Sequence, residues 1–417
     1  MFRLGCVVTA LVFMVATPAQ AQLRAVADGP APVLFGDRVL WGTRSGGVVH
    51  FVSAPVAGGP SAPFGDVPVR ARDVLWLAAS PAEVAVQLRS VDSPSAPGRL
   101  YAAGPDGAFR QLSGDVGEEP FDPLWSPLSI TAEGVFTQEA TPTLRSPTGA
   151  KTAVVLPPEG DPGFVAAAGS VGVASTDGVL IVFDLRSGTE VHQISLGSFD
   201  AQVTSLAVSP AGDVAATTAT GDGSDVVLWA PAGARQVRVL ATSARAEEVA
   251  TAGGRVAFVG SNHLDAGVRV TVLDGASGAT LFRGPVTEDA GGLGLDGAHL
   301  AYWTEACTLV ADIAPGSSAD VLPAGPCQRT AMDVAPLDGT REIYRASLAC
   351  LSAPAADCRA DARLHTLSGR PAGRLAVRIP RGHTRTLRIP LKARGRQYRL
   401  TVRVTDPDGR TRTVYDA

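Results

Sequence analysis

Lysine is almost missing from this 417-residue chain. Only Lys151 and Lys392 occur, so arginine carries nearly all the positive charge, a bias that reads as genomic composition. Aromatic residues are scarce at 6%. Beyond the first twenty-odd residues no apolar run is long enough to cross a bilayer as a helix. Familiar catalytic signatures are missing too. There is no G-x-S-x-G elbow, S-x-x-K pair, H-E-x-x-H or Walker loop. The six histidines (50, 192, 263, 299, 365 and 383) are scattered, none beside a second His or a Cys at ligand spacing.

Weaker candidates have plainer readings. Asp222, Asp225, Asp406 and Asp408 sit beside turn residues and lack the spaced oxygen ligands and closing Glu of a calcium loop. Gly291-Gly292-Leu293-Gly294 leads into strand, so it is no phosphate cradle. Glu118-Glu119 and Glu247-Glu248 look like exposed linker pairs, and sequence cannot place two carboxylates across a sugar. His263, in a loop before Asp265, has no partner base or nucleophile specified. The expectation is no catalytic residue, no cofactor, no metal ligand and no enzyme.

What the chain has is glycine (46), proline (31) and 45% hydrophobic content, the balance of many short strands joined by turns. Val203 to Leu240 shows the unit. Val203, Leu206 and Val208 end at the turn Ser209-Pro210-Ala211-Gly212-Asp213; Val214 to Thr220 is small and β-branched; Gly221 to Ser224 breaks it. Val226-Val227-Leu228-Trp229 follows, then Pro231-Ala232-Gly233, then Val237, Val239 and Leu240. No window has a 3.6 period.

Two kinds of turn recur seven times each, interleaved. One lies between small apolar strands, near residues 36, 81, 133, 169, 211, 253 and 296. The other falls late in each unit, at Gly59, Gly107, Gly149, Gly188, Gly233, Gly278 and Gly316. The second series repeats about every 43 residues, a period suited to four-stranded blades. Two late turns share a form, Asp184-Leu185-Arg186-Ser187-Gly188 and Asp274-Gly275-Ala276-Ser277-Gly278. A sandwich also has closely spaced strands, but not this long period.

On Ser209, Pro210, Gly212, Asp213 and the VVLW run ending at Trp229, the stretch resembles a WD-repeat blade. Ala230 replaces the Asp of the Trp-Asp pair, so the resemblance is to WD-like propellers in general. It implies an all-β chain with a seven-bladed β-propeller over 22–328. The unit at about 116 to 158 is the least regular. Ring closure is left to Leu23 to Ala27 or to a strand near Met332 to Ala335.

Residues 1–21 read as a secretory signal, with Arg3, an apolar stretch from Val7 to Ala16 and an Ala19-Gln20-Ala21 cleavage site. A secreted or envelope-associated protein is expected. Four cysteines remain, Cys307, Cys327, Cys350 and Cys358, an even count that suggests two disulfides. Three pairings are open; proximity favours Cys307–Cys327 and Cys350–Cys358.

Charge divides the chain. Residues 22–328 carry a net of about −15 and residues 329–417 about +10, as two domains with different surfaces would. Residues 329–340 read as a linker or closing strand, and 341–417 as a small antiparallel β-sandwich. In this tail Leu375, Val377 and Ile379 alternate with Arg374, Ala376 and Arg378; Leu400, Val402 and Val404 alternate with Arg399, Thr401, Arg403 and Thr405. With the short Cys350–Cys358 loop and the closing V-x-V-x-D-x-x-G-R hairpin, the tail is similar to Arg-rich immunoglobulin-like modules of exported actinobacterial proteins.

Arg378, Arg399, Arg403, Arg410 and Arg412 are the candidate contacts to an anionic surface, although scattered arginine also keeps an edge-rich sheet soluble. The expectation is a monomeric scaffold that binds a protein or envelope polymer. Nucleic acid is not expected, because no aromatics interleave the basic residues. The rival reading is a propeller enzyme, lactonase- or quinoprotein-like, with a site built from loops of several blades.

Overall fold

The computed structural model describes residues 23–27, 32–70, 73–90, 98–116, 128–137, 142–154, 156, 163–176, 178–197, 202–220, 224–243, 245–261, 268–286, 291–304, 307–315, 317–318, 331–337, 342–352, 357–391, 397–405 and 411–416. Its regular structure is strand, with no helix among the described residues and so none able to span a membrane.

Seven antiparallel sheets follow in chain order: 33–68, 73–116, 128–153, 165–195, 203–243, 245–285 and 291–312. The Val203–Leu240 stretch forms Val203–Val208, Val214–Ala219, Asp225–Ala230 and Arg238–Ser243, as its turn residues predict. The third sheet has the shortest strands, three or four residues each.

The sheets form a closed ring because each shares a core with the next. Leu77 and Val86 of blade two join Leu40 and Phe51 of blade one. Corresponding clusters link blades two to three, three to four, four to five, five to six and six to seven. The seventh joins Ala301 and Val310 of blade seven to Val39, Trp41 and Ala54 of blade one. Tight inter-blade layers favour small residues, and Ala215, Ala257 and Ala301 are fully buried on second strands.

Closure uses the first of the two expected strands. Leu23–Ala27 pairs antiparallel with Cys307–Asp312 and becomes the outer strand of blade seven. The other option is corrected by the structure. Ala331–Leu337 pairs with Ile343–Ser352, so the segment expected as linker or closing strand is the first strand of the C-terminal unit.

Among the described residues both series of turns lie at one end of the ring, since in an up-and-down sheet the first and third turns share an end. They serve different contacts. Turns between first and second strands touch their counterparts in the next blade; Ala132 donates its amide to Gly169 O at 2.8 Å. Turns between third and fourth strands pack on the outer strand of the preceding blade. Gly107, at φ 71°, lies against Phe64, and a Cβ there would overlap the Phe64 carbonyl. Gly149, at φ 85°, meets Leu112 in the same way. Ser195 donates to Arg235 O at 3.0 Å, and Ser317–Ser318 pairs in parallel with Phe282 and Arg283. Gly316 lies outside the described residues.

The C-terminal unit has two facing sheets, one of three strands and one of four. They share a core of Leu348, Ala362, Leu364, Ile379, Leu387, Ile389, Leu400, Val402 and Val404, all nearly sealed from solvent. The Cys350–Cys358 disulfide ties one sheet to the other. The Cys307–Cys327 pairing lies outside the described residues. Ala349, on the outer side of the three-stranded sheet, packs against the cluster between blades six and seven.

Candidate functional site: an arginine-rich sheet face

The four-stranded sheet is built from Asp357–Thr366, Pro371–Pro380, Tyr398–Thr405 and Thr411–Asp416. Alternation sends Cys358, Ala360, Ala362 and Leu364 inward and leaves Asp357, Arg359, Asp361, Arg363 and His365 outward. Register then sets the neighbours. Arg359 opposes Arg378, Arg363 opposes Arg374, Asp361 opposes Arg403, and His365 opposes Arg399. Among the described side chains, one outer face therefore gathers six arginines around two aspartates.

Asp361 is the hub. Arg363 donates to its Oδ2 at 2.8 and 2.7 Å; Arg374 donates to Oδ1 at 2.7 Å and Oδ2 at 3.0 Å. Partial burial pushes the Asp361 carboxyl up, but the hydrogen bonds from Arg374 and Arg363 outweigh it and hold the group below the usual carboxylate range. The same bonds raise Arg374. Arg378 pairs with Asp357. Among the described side chains two aspartates face six guanidinium groups, an excess of positive charge. The small side chain of Ala376, between Arg374 and Arg378, leaves a shallow groove of about 380 Å³ lined by Arg359, Asp361, Ala376, Arg378 and Thr405. Arg403 Nε is buried without a hydrogen-bond partner.

Of the residues expected at such a face, Arg378, Arg399 and Arg403 come together on it. Arg410 lies outside the described residues, and Arg412 pairs with Val404 in the last strand. Arg359, Arg363 and Arg374 belong with them and were missed as contacts. The signal was present, since Asp357–Thr366 alternates as clearly as the two strands that were used.

The other candidates are spread out. Asp184 and Asp274 close their turns identically: each Oδ1 accepts the amide and hydroxyl of the Ser three residues on, at 2.6 to 2.8 Å. Those bonds hold both carboxyls below their usual range. Asp225 accepts the Ala246 amide. Asp222, Asp406, Asp408, Glu118, Glu119 and His263 lie outside the described residues. His192 is a half-exposed strand residue and His383 an exposed turn residue. His299 bonds Asp296 at 3.0 Å. Glu247-Glu248 is corrected from linker to strand: it lies in Arg245–Ala252, and Glu248 accepts the Gly292 and Leu293 amides of the next blade at 2.9 and 3.0 Å. Among the described residues no three His, Cys, Asp or Glu cluster in a way that could hold a metal ion.

No family model matches the chain, and neither does any curated protein. Solved structures resemble it at low identity. TolB from Acinetobacter baumannii is 14% identical over 90% of this chain and 80% of its own, with a TM-score of 0.36. A putative 6-phosphogluconolactonase from Bacteroides uniformis is 10% identical over 84% and 99%, with a TM-score of 0.42. The β-propeller domain of the trilobed protease from Pyrococcus furiosus is 9% identical over 95% and 98%, with a TM-score of 0.30. At such scores the blade count and ring closure rest on the sheets and shared cores of this chain alone.

Proposed function

We propose that this is an exported binding protein whose C-terminal sandwich docks on an anionic cell-envelope polymer while the propeller serves as a scaffold for a protein partner. The observation that carries the reading is the outer sheet face with six arginines and two aspartates. Guanidinium groups at strand spacing suit repeated phosphate or carboxylate groups, which they bind in bidentate fashion. The contact of Ala349 with blades six and seven involves the opposite sheet, which leaves the arginine face turned outward.

Export is supported by the leader-like first 21 residues and by the Cys350–Cys358 disulfide, a bond that persists in oxidising compartments. The strand order supports an immunoglobulin-like reading of the sandwich: its second strand pairs with the fifth, and its third with the sixth. The protein acts as a monomer, with nucleic acid no part of its role.

The test is binding of the mature chain to a purified polyglycerol-phosphate polymer across a salt series. Arg359→Ala/Arg378→Ala/Arg403→Ala is compared with wild type. The expected result is at least a tenfold loss in the triple variant and progressive loss with salt in the wild type. Equal binding by both, insensitive to salt, overturns the proposal.

A further inference from the structure

Blade one carries a second arrangement, which register creates and spacing hides. Its strands Arg38–Ser45, Val48–Pro55 and Ala62–Pro68 are neighbours. His50 lies directly opposite Asp66 on one side and Thr43 on the other. Ser45, two residues beyond Thr43, projects from the same face and reaches His50 diagonally. His50 Nδ1 lies 2.9 Å from Asp66 Oδ1, and its Nε2 lies 3.1 Å from Ser45 Oγ. The tautomer with the proton on Nδ1 satisfies both contacts: Nδ1–H donates to Asp66, and Nε2 accepts from the Ser45 hydroxyl. Val49 and Phe51 are buried on the opposite face and fix the strand that carries His50.

We infer that Ser45, His50 and Asp66 form a nucleophilic site that hydrolyses esters of small acyl groups. A hydroxyl bonded to a histidine that is in turn oriented by a carboxylate is the geometry an activated serine needs. Ser45 Oγ attacks the ester carbonyl carbon and gives its proton to His50 Nε2. The C–O bond to the alcohol breaks, and His50 returns that proton to the departing alcohol. Water then attacks the acyl-Ser45 ester, again through His50, releasing the acid and restoring the Ser45 hydroxyl. Ester and water give acid and alcohol, with no other reactant. Asp66 holds Nδ1–H and stabilises the imidazolium.

Ser45 runs straight into Gly46 and Gly47, both left-handed at φ 57° and 82°. Gly47 O accepts the Val69 amide at 2.8 Å, which anchors this turn. The backbone amides of Gly46 and Gly47 are the groups assigned to the developing oxyanion. The site is open: the His50 and Asp66 side chains are 44% and 64% exposed, and Ser45 is exposed. Such a site grips no long acyl chain and excludes little water. It suits esters, whose alkoxide leaves readily, over amides. This goes beyond the binding role and gives the propeller an activity of its own.

The test uses a fluorophosphonate probe on the full mature chain, with the labelled peptide mapped by mass spectrometry. p-Nitrophenyl acetate and p-nitrophenyl palmitate serve as substrates. The expected result is label on Ser45, none there in Ser45→Ala, and labelling slowed about 100-fold or more in His50→Gln, the usual contribution of a general base. Acetate ester is cleaved, palmitate ester is not, and Asp66→Asn slows cleavage. All three positions are on the surface, so the variants are expected to melt with the wild type. Absence of label on wild-type Ser45 overturns the inference, as does acetate hydrolysis that survives in Ser45→Ala. Either result leaves three side chains that only bond one another.

Discussion

The propeller and the sandwich use arginine in opposite ways. In the ring it is a bolt between neighbouring parts. Arg99 reaches the buried Asp73 carboxylate and donates to Pro68 O at 3.0 Å, and Arg44 donates to Asp73 O at 2.7 Å. Arg238, on the outer strand of blade five, donates to the Ala276 and Ser277 carbonyls of blade six. In the sandwich, arginine crowds an exposed sheet face and outnumbers its acids. The same side chain is held between blades by carbonyls and a sealed carboxylate in the ring, and lies on an open sheet face, partly paired with Asp361 and Asp357, in the sandwich.

The largest effect that sharpens this contrast is expected at Asp73. Its side chain is only 2% exposed, against 17% for Arg99. Asp73→Ala takes away the sealed carboxylate that Arg99 and the Arg70 amide share, which costs about 3–5 kcal/mol, read as a lower denaturation midpoint of the propeller. A loss under 1 kcal/mol would break the distinction.

Next comes Gly107. A side chain there overlaps the Phe64 carbonyl and is held in left-handed backbone, so Gly107→Ala is expected to cost about 2–4 kcal/mol from overpacking and strain together. Gly369, in a sandwich turn at φ 79°, has open space around it. Gly369→Ala carries only the backbone cost, about 1 kcal/mol. Thermal melts of both variants separate the two contributions.

The smallest effect is at Asp361, whose partners Arg374 and Arg363 are 65% and 39% exposed. Asp361→Asn is expected to cost no more than about 1 kcal/mol at neutral pH. Its folded carboxyl titrates below the unfolded value of about 3.9. The unfolded chain therefore binds the proton first. The contribution is complete well above pH 4 and fades as pH falls through the folded value. Urea melts between pH 6 and 3 should show a shallower acid loss in Asp361→Asn than in wild type, and identical slopes would remove Asp361 from the acid response.

The ring was legible because glycine marks its joints. The late turns at Gly107 and Gly149 bring a backbone against the preceding blade where only glycine fits, so the joints leave a mark in the sequence. The sandwich face was half legible. Alternation in Pro371–Pro380 and Tyr398–Thr405 announced their outward arginines, but that Arg359 meets Arg378 and Asp361 gathers Arg363 and Arg374 depends on register between strands. Ser45, His50 and Asp66 were illegible for the same reason. Their sequence spacing matches no motif, and proximity appears only once three strands are aligned. The reading of Glu248 as linker failed because a charged pair looks solvated until backbone amides from another blade are seen to approach it.

The pairing of Leu23–Ala27 with Cys307–Asp312 joins segments nearly three hundred residues apart. Such a contact is slow to find, since its closure entropy is lost before any core rewards it. A chain emerging from the ribosome amino end first cannot complete the circle until blade seven has been made. Until then both ends of the growing arc present unsatisfied strand edges and half of an inter-blade core. A chain truncated before residue 307 has no partner for its own beginning and is left as an open arc with unpaired strand edges.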